Sequence, residues 1–199
     1  SAMSDAGGKG RGSPAAVGTL LSMIAVYFFS FFQRVAVPGT IFDELQHSFS
    51  ASAASIAGLA AVYLYLYGAM QPVTGMLADR LGAPRVVLLG GGLLSAGSVL
   101  FALSPNLPVL YLTRTLVGLG ASLLYVSLVK AINDLFDASQ FVTLVGATMF
   151  LGYAGGLAAT LPLERLAHAV GWRWAMLAAG AACSLALWSA HLNFRRADG

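Results

Sequence analysis

Charge is scarce in this chain: Asp, Glu, Lys and Arg make up 10% of its 199 residues, where a water-soluble globular domain carries about 25%. With 58% hydrophobic residues and a mean hydropathy of +0.78, that shortage excludes an ordinary soluble domain. Cysteine is nearly absent. The single thiol, Cys183, sits in an apolar run, which excludes an intrachain disulfide and a thiolate metal cluster and leaves a buried, inert group. Histidines number three; His47 and His168 fall in expected outer loops, and no His, Asp or Glu cluster has metal-ligand spacing. No glycine loop followed by Lys and Ser or Thr occurs, so ATP is not indicated and no cofactor is expected.

What the chain has is apolar length. At about 20 residues per spanning helix, hydropathy interrupted by Pro, Gly and charge places six spans at residues 15–42, 50–78, 84–104, 108–130, 141–163 and 172–193. The expectation is an all-α membrane protein with the lipid bilayer as its solvent. Residues 1–14 are small, polar and unpatterned and read as a remnant tag and disordered cytoplasmic tail, not a signal peptide. Residues 15–199 form the six-helix transmembrane domain. With the N-terminus inside, Lys9, Arg11, Arg80, Arg85, Lys130, Arg195 and Arg196 fall on the inner side and only Arg165 and Arg173 outside, as the positive-inside rule requires. Both termini are then cytoplasmic, in a cell membrane of the bacterial inner-membrane kind. The basic residues mark topology at helix ends and form no stripe for a phosphate backbone, so nucleic acid is not an expected partner.

Arg34 and Arg114 remain, and both fall inside spans. A charge at a helix centre costs roughly 2.5–3.5 kcal/mol on insertion scales, so such residues usually face a bundle interior or wet cavity; Arg34 has the alternative of snorkelling to the outer headgroups. Helical spacing puts Tyr27, Phe31 and Arg34 on one face of span one, Tyr63, Tyr67 and Gln71 on one face of span two, and Arg114, Gly118, Ser122 and Tyr125 on one face of span four. The candidate substrate-binding residues are Tyr27, Gln33, Arg34, Tyr67, Gln71, Arg114, Ser122 and Tyr125. A guanidinium grips carboxylate or phosphate through paired hydrogen bonds, so a small anionic or zwitterionic solute is expected. For the tyrosines and Gln71, interhelical hydrogen bonding or an aromatic belt is the competing reading.

The first three spans (about 15–104) and the last three (about 108–194) compare as repeats. Ala78-Asp79-Arg80-Leu81 at the end of span two matches Leu163-Glu164-Arg165-Leu166 at the end of span five, and each is followed within eight residues by another Arg. Three helices repeated on opposite sides of the membrane, with a site at the midplane between them, is an inverted-repeat transporter plan.

The strongest local signal is Gly75-Met76-Leu77-Ala78-Asp79-Arg80-Leu81-Gly82-Ala83-Pro84-Arg85. It resembles the signature of the major facilitator superfamily, G-x-x-x-D-R-x-G-R-R, at Gly75, Asp79, Arg80 and Gly82, with Arg85 displaced one place from the family's last basic position. Arg114-Thr115-Leu116-Val117-Gly118-Leu119-Gly120 looks like its fourth-helix motif R-x-x-x-G-x-G. Gly152-Tyr153-Ala154-Gly155-Gly156 resembles the small-residue stripe of helix five, part of a surface with Gly146 and Ala159. Gly171-Trp172-Arg173-Trp174 is similar to the entry into helix six. The resemblance covers about residue 15 to the end and implies one six-helix half of that fold, a 3+3 inverted repeat.

By the same resemblance Asp79 holds two halves together on the cytoplasmic side, Gly75 and Gly82 permit close backbone approach, and Arg114 either meets substrate or fixes neighbouring helices through carbonyls. Phe32-Gln33-Arg34-Val35 and Tyr67-Gly68-Ala69-Met70-Gln71-Pro72 look like organic-anion symporters and bacterial nutrient carriers, where the first-helix arginine meets a substrate carboxylate. Two departures stand out: Gln33 and Ala121 occupy positions where acids often stand, so the usual buried acid for proton coupling is missing.

A complete family member has twelve helices. The expected partner is therefore either a missing C-terminal six-helix half or a second copy, a homodimer in which Asp79 approaches residues 139–141 of the other chain. Two other classes compete. One is a non-transporting assembly or sensor subunit. The other is a rhomboid-type protease using Ser122 and His191, although Leu123 stands where that serine motif closes with glycine.

Overall fold

Helix-breaking residues divide the apolar runs into more pieces than hydropathy alone distinguishes. The computed structural model describes residues 12–197, with side chains through Arg195; the expected tail up to Arg11, including Lys9, and the side chain of Arg196 lie outside the described residues. The tail also ends earlier than expected. Ser13 accepts from the Ala16 amide at 3.2 Å and Pro14 occupies the first helical position, where a missing N–H costs nothing. Helix α1 (Pro14–Val35) passes into a π-helical turn, Ala36–Thr40, at Pro38-Gly39, since proline cannot donate to the α ladder.

Span one therefore ends before Phe42, which begins a separate helix, α2 (Phe42–Phe49). Its acids, Asp43 and Glu44, lie in the first turn and His47 in the last, matching the helix dipole. Helices α3 (Ala53–Leu81) and α4 (Ala83–Ala102) are separated by Gly82 alone. Span four is two successive helices, α5 (Leu107–Ser122) and α6 (Leu124–Leu135), separated by Leu123 alone. Span five is α7 (Ala138–Ala158), which breaks at Thr160 ahead of Pro162; the residues to Val170 form a short helix, α8 (Leu161–Val170), with Leu163 and Ala167 buried and Glu164, Arg165 and His168 exposed. Helix α9 (Trp172–Ala197) completes the bundle. Among the described residues six helical stretches are long and apolar enough to cross a membrane.

The break at Thr160 also shifts the repeat. The last turn of α3 before Gly82 (φ 84°, ψ 146°) corresponds to the last turn of α8 before Gly171 (φ 88°, ψ 147°). Leu163-Glu164-Arg165-Leu166 lies nearer the start of α8, so the four-residue match does not mark equivalent places. The shared element is a glycine in a positive-φ conformation that L side chains avoid, followed by a new span.

Helix α4 packs between α5 and α9, α1 between α9 and α7, and α3 against α5. Helices α3 and α7 thus form the two edges. Polar contacts join neighbours: Tyr111 donates to the Ser55 carbonyl at 2.6 Å, Thr74 to the Ser122 carbonyl at 3.1 Å, and Ser95 and Ser184 lie 2.5 Å apart. Arg173 donates to the carbonyls of Ala102 and Ser104 at 2.8 and 2.9 Å, so beyond marking topology it satisfies the orphan carbonyls where α4 ends.

Close approach depends on glycine at two interfaces. A Cβ on Gly90 would lie 2.8 Å from the Gly120 carbonyl oxygen, joining α4 to α5, and one on Gly155 would strike the Phe28 carbonyl of α1. Small residues let helices meet where lipid supplies no hydrophobic drive. The expected stripe on span five is narrower than read: Gly152, Gly155 and Gly156 face α1, whereas nothing lies near a Cβ on Gly146.

Candidate functional site

Arg34 and Arg114 come from different repeats and meet in one cleft of about 390 Å³ between α1, α3 and α5. Arg34 is exposed at the end of α1, its guanidinium carbon 5.8 Å from the ring centres of both Phe31 and Tyr67. Arg114 is fully buried, 4.6 Å above the Tyr63 ring, and its Nε donates to the Leu59 carbonyl at 3.3 Å. Its two terminal nitrogens, Nη1 and Nη2, are buried without a partner. A second cleft, of about 500 Å³, lies on the other side of Arg34, against Phe31, Tyr153 and α7.

Aromatic rings connect these groups. Tyr63 stacks on Tyr67 (6.1 Å, 12° between planes), and its hydroxyl donates to the Ser30 carbonyl at 3.2 Å. Tyr27 stacks on Tyr125 at 6.1 Å and meets Phe31 edge-on at 5.2 Å; Phe31 in turn meets Tyr153 at 4.8 Å. Tyr27 and Tyr67 fall at the midpoints of their spans, Pro14–Thr40 and Ala53–Leu81. The arginines do not. Arg34 is six residues before Thr40 and Arg114 seven after Leu107, which at 1.5 Å per residue puts each about 10 Å from the ends that face away from the termini. The midplane layer is tyrosine, and the cationic layer lies beyond it.

The other expected site residues divide. Gln71 lies on the same helix face as Tyr67, its Nε2 donating to the Tyr67 carbonyl at 3.1 Å, and the Tyr125 hydroxyl contacts Met149 Sδ at 4.0 Å. Gln33 is buried with Oε1 unpartnered and borders neither cleft beside Arg34. Ser122 is buried where α5 crosses α3, and its hydroxyl donates to the Leu119 carbonyl; helical periodicity alone placed it on the cleft face. The same bond leaves it no base, and His191 lines a separate cleft with Leu88 and Trp188, so a serine–histidine pair is not formed. Ser30, Tyr153 and the Pro38-Gly39 turn were missed. The π turn signalled by Pro38 was the readable clue, because such turns gather at functional sites.

At the opposite end, Lys130 Nζ lies 3.0 Å from Asp79 and 3.7 Å from Asp134, and the Asp79 side chain stays mostly exposed. Gly82 has the positive φ its turn demands, Gly75 has no neighbour that a Cβ would meet, and Arg80 and Arg85 are exposed.

Six apolar spans in two repeats, packed through glycine and carrying arginines from both repeats to one cleft, define a multi-pass membrane protein of the transporter half-bundle type. The family model described as Major Facilitator Superfamily matches residues 20–198. The chain belongs to that superfamily. Monocarboxylate transporter 11 of Homo sapiens is 33% identical over 72% of this chain and 30% of its own. The uncharacterized MFS-type transporter YvkA of Bacillus subtilis is 32% identical over 58% of this chain and 25% of its own. A crystal structure of the peptide transporter POT in complex with sulfate superposes with a TM-score of 0.76 at 18% identity, over 89% of this chain and 37% of that one. The chain thus spans between 25% and 37% of the length of these proteins.

Proposed function

We propose that the chain is a six-helix half of a secondary transporter that moves a small anionic or zwitterionic solute by alternating access, with Arg34 and Arg114 as its anion-binding groups. The observation that carries this is the buried Arg114, whose two terminal nitrogens lack partners beside a cleft without a carboxylate. An unpaired buried guanidinium is costly, and an anion would relieve that cost. Tyr67, Gln71 and Tyr125, each half-buried, line the path below; Tyr27, Gln33 and Ser122, which are buried, drop out of the set. The monocarboxylate relatives and the sulfate-bound fold neighbour support an anion. The open faces of α3 and α7 are covered by a second six-helix half or by a second copy of this chain.

Purified chain in lipid nanodiscs gains thermal stability when monocarboxylate is added, by about 2.7 kcal/mol at one hundred times Kd. Replacing Arg34 with alanine removes charge-assisted hydrogen bonds of about 1.5–3 kcal/mol, so the same shift then needs at least about tenfold more ligand. An unchanged dose response in Arg34→Ala sinks the assignment. Uptake into liposomes, lost in the same variant, separates transport from a sensor or assembly role.

The termini are cytoplasmic in a bacterial cell membrane, a reading supported by the basic residues Arg80, Arg85, Lys130 and Arg195 at their end of the bundle and by the acids Asp43, Glu44 and Glu164 at the other. An impermeant maleimide added to intact cells labels Asp43→Cys and leaves Asp134→Cys unlabelled; the reverse pattern inverts the topology.

A further inference from the structure

We infer that the cleft between Arg34 and Arg114 selects a monoanion with an apolar, ring-bearing body and rejects zwitterions. This rests on the anion-site reading above and narrows it. No carboxylate borders either cleft beside Arg34. Among the described residues every acid lies at a helix end: Asp43, Glu44 and Glu164 on one face, Asp79, Asp134 and Asp137 on the other. An ammonium group entering with the carboxylate would lose its hydration beside two guanidiniums and find no counter-charge.

Aromatic faces would be its remaining recourse, and in the cleft between the two arginines these are taken. Arg34 lies over Phe31 and Tyr67, and Arg114 over Tyr63. The Tyr63 hydroxyl is held by Ser30. The remaining wall is Val35, Pro38, Ala60 and Leu64, which offers area to a hydrocarbon body and no side-chain hydrogen bonds to a polyol or a peptide. Past Arg34 the second cleft is lined by Phe31 and Tyr153, so a body that extends beyond the guanidinium finds aromatic neighbours for a planar ring.

The test is a matched pair. 3-Phenylpropionate and phenylalanine share a skeleton and differ by the α-ammonium. Isothermal titration of the full chain in nanodiscs, with acetate and sulfate alongside, reads the discrimination. We expect 3-phenylpropionate to bind at least tenfold more tightly than either phenylalanine or acetate. Phenylalanine binding equal to or tighter than 3-phenylpropionate overturns the exclusion of zwitterions. Acetate or sulfate binding as tightly as 3-phenylpropionate overturns the apolar-body inference while the anion site stands. If none of the anions binds, the anion-site reading falls and this inference with it. Leu64→Glu, at an exposed position on the cleft wall, supplies the missing counter-charge. It should raise phenylalanine affinity relative to 3-phenylpropionate by at least tenfold, and an unchanged ratio counts against the argument.

Discussion

Gly155→Ala should destabilise the protein by about 1–2 kcal/mol net, while Gly146→Ala, on the same helix, should leave it intact. An alanine Cβ at 155 would strike the Phe28 carbonyl oxygen and lie 2.8 Å from that residue's carbonyl carbon. Both are backbone atoms of α1, so no side-chain rotation relieves the contact and α7 must move away from α1. Forcing extra volume into a tight contact costs about 1–3 kcal/mol, occasionally more. The opposing gain, from removing helix-interior glycine, is about 0.5–1 kcal/mol, so the clash wins. At Gly146 nothing lies within 4 Å of a Cβ, and only the gain remains. Thermal unfolding of both variants in detergent gives the comparison. Equal midpoints would show that α1 and α7 are not in backbone contact.

The second large effect is expected at Arg114, where stability and binding should move in opposite directions. Methionine matches the length and apolar stem of arginine without the guanidinium. Arg114→Met loses one bond to the Leu59 carbonyl and the contact with the Tyr63 ring, but also removes two buried nitrogens that have no partner. A net hydrogen bond is worth about 0.5–1.5 kcal/mol, and each unsatisfied buried group costs about 1–3 kcal/mol. The unliganded variant should therefore melt a few degrees higher than the parent, at roughly 2–4 °C per kcal/mol for a chain of this size. Its stabilisation by monocarboxylate should disappear. A lower melting point with the anion response preserved would make Arg114 a strut between α3 and α5 and nothing more.

Both predictions concern residues visible in the sequence for reasons that differ in kind. Arg114 was conspicuous because a charge inside a span is expensive wherever it sits, and Gly155 because it belongs to a dense glycine stretch. Neither reason says which neighbour is met. The glycine stripe included Gly146, which faces no helix, because periodicity identifies a face without its partner. Ser122 was assigned to the cleft by the same rule, and the crossing of α3 over α5 buries it instead. Asp79 pairs with Lys130, fifty-one residues on, at 3.0 Å, and no local pattern reports a pairing at that separation.

Composition and motif spacing alone determined the membrane, the six spans and the superfamily, because hydropathy over a window and short glycine–arginine patterns are local properties of the chain. Where these spans end was decided only in the structure, by Pro38 and by the Thr160–Pro162 break, which turn two of the apolar runs into a span followed by a short amphipathic helix. The site was decided there too. Arg34 and Arg114 are eighty residues apart, and what brings them to one cleft at one depth is α3, which packs along α5 and bonds to α1 through Tyr63 and Ser30. That placement follows from which small residues let which backbones approach, a property of pairs of helices that no single segment contains.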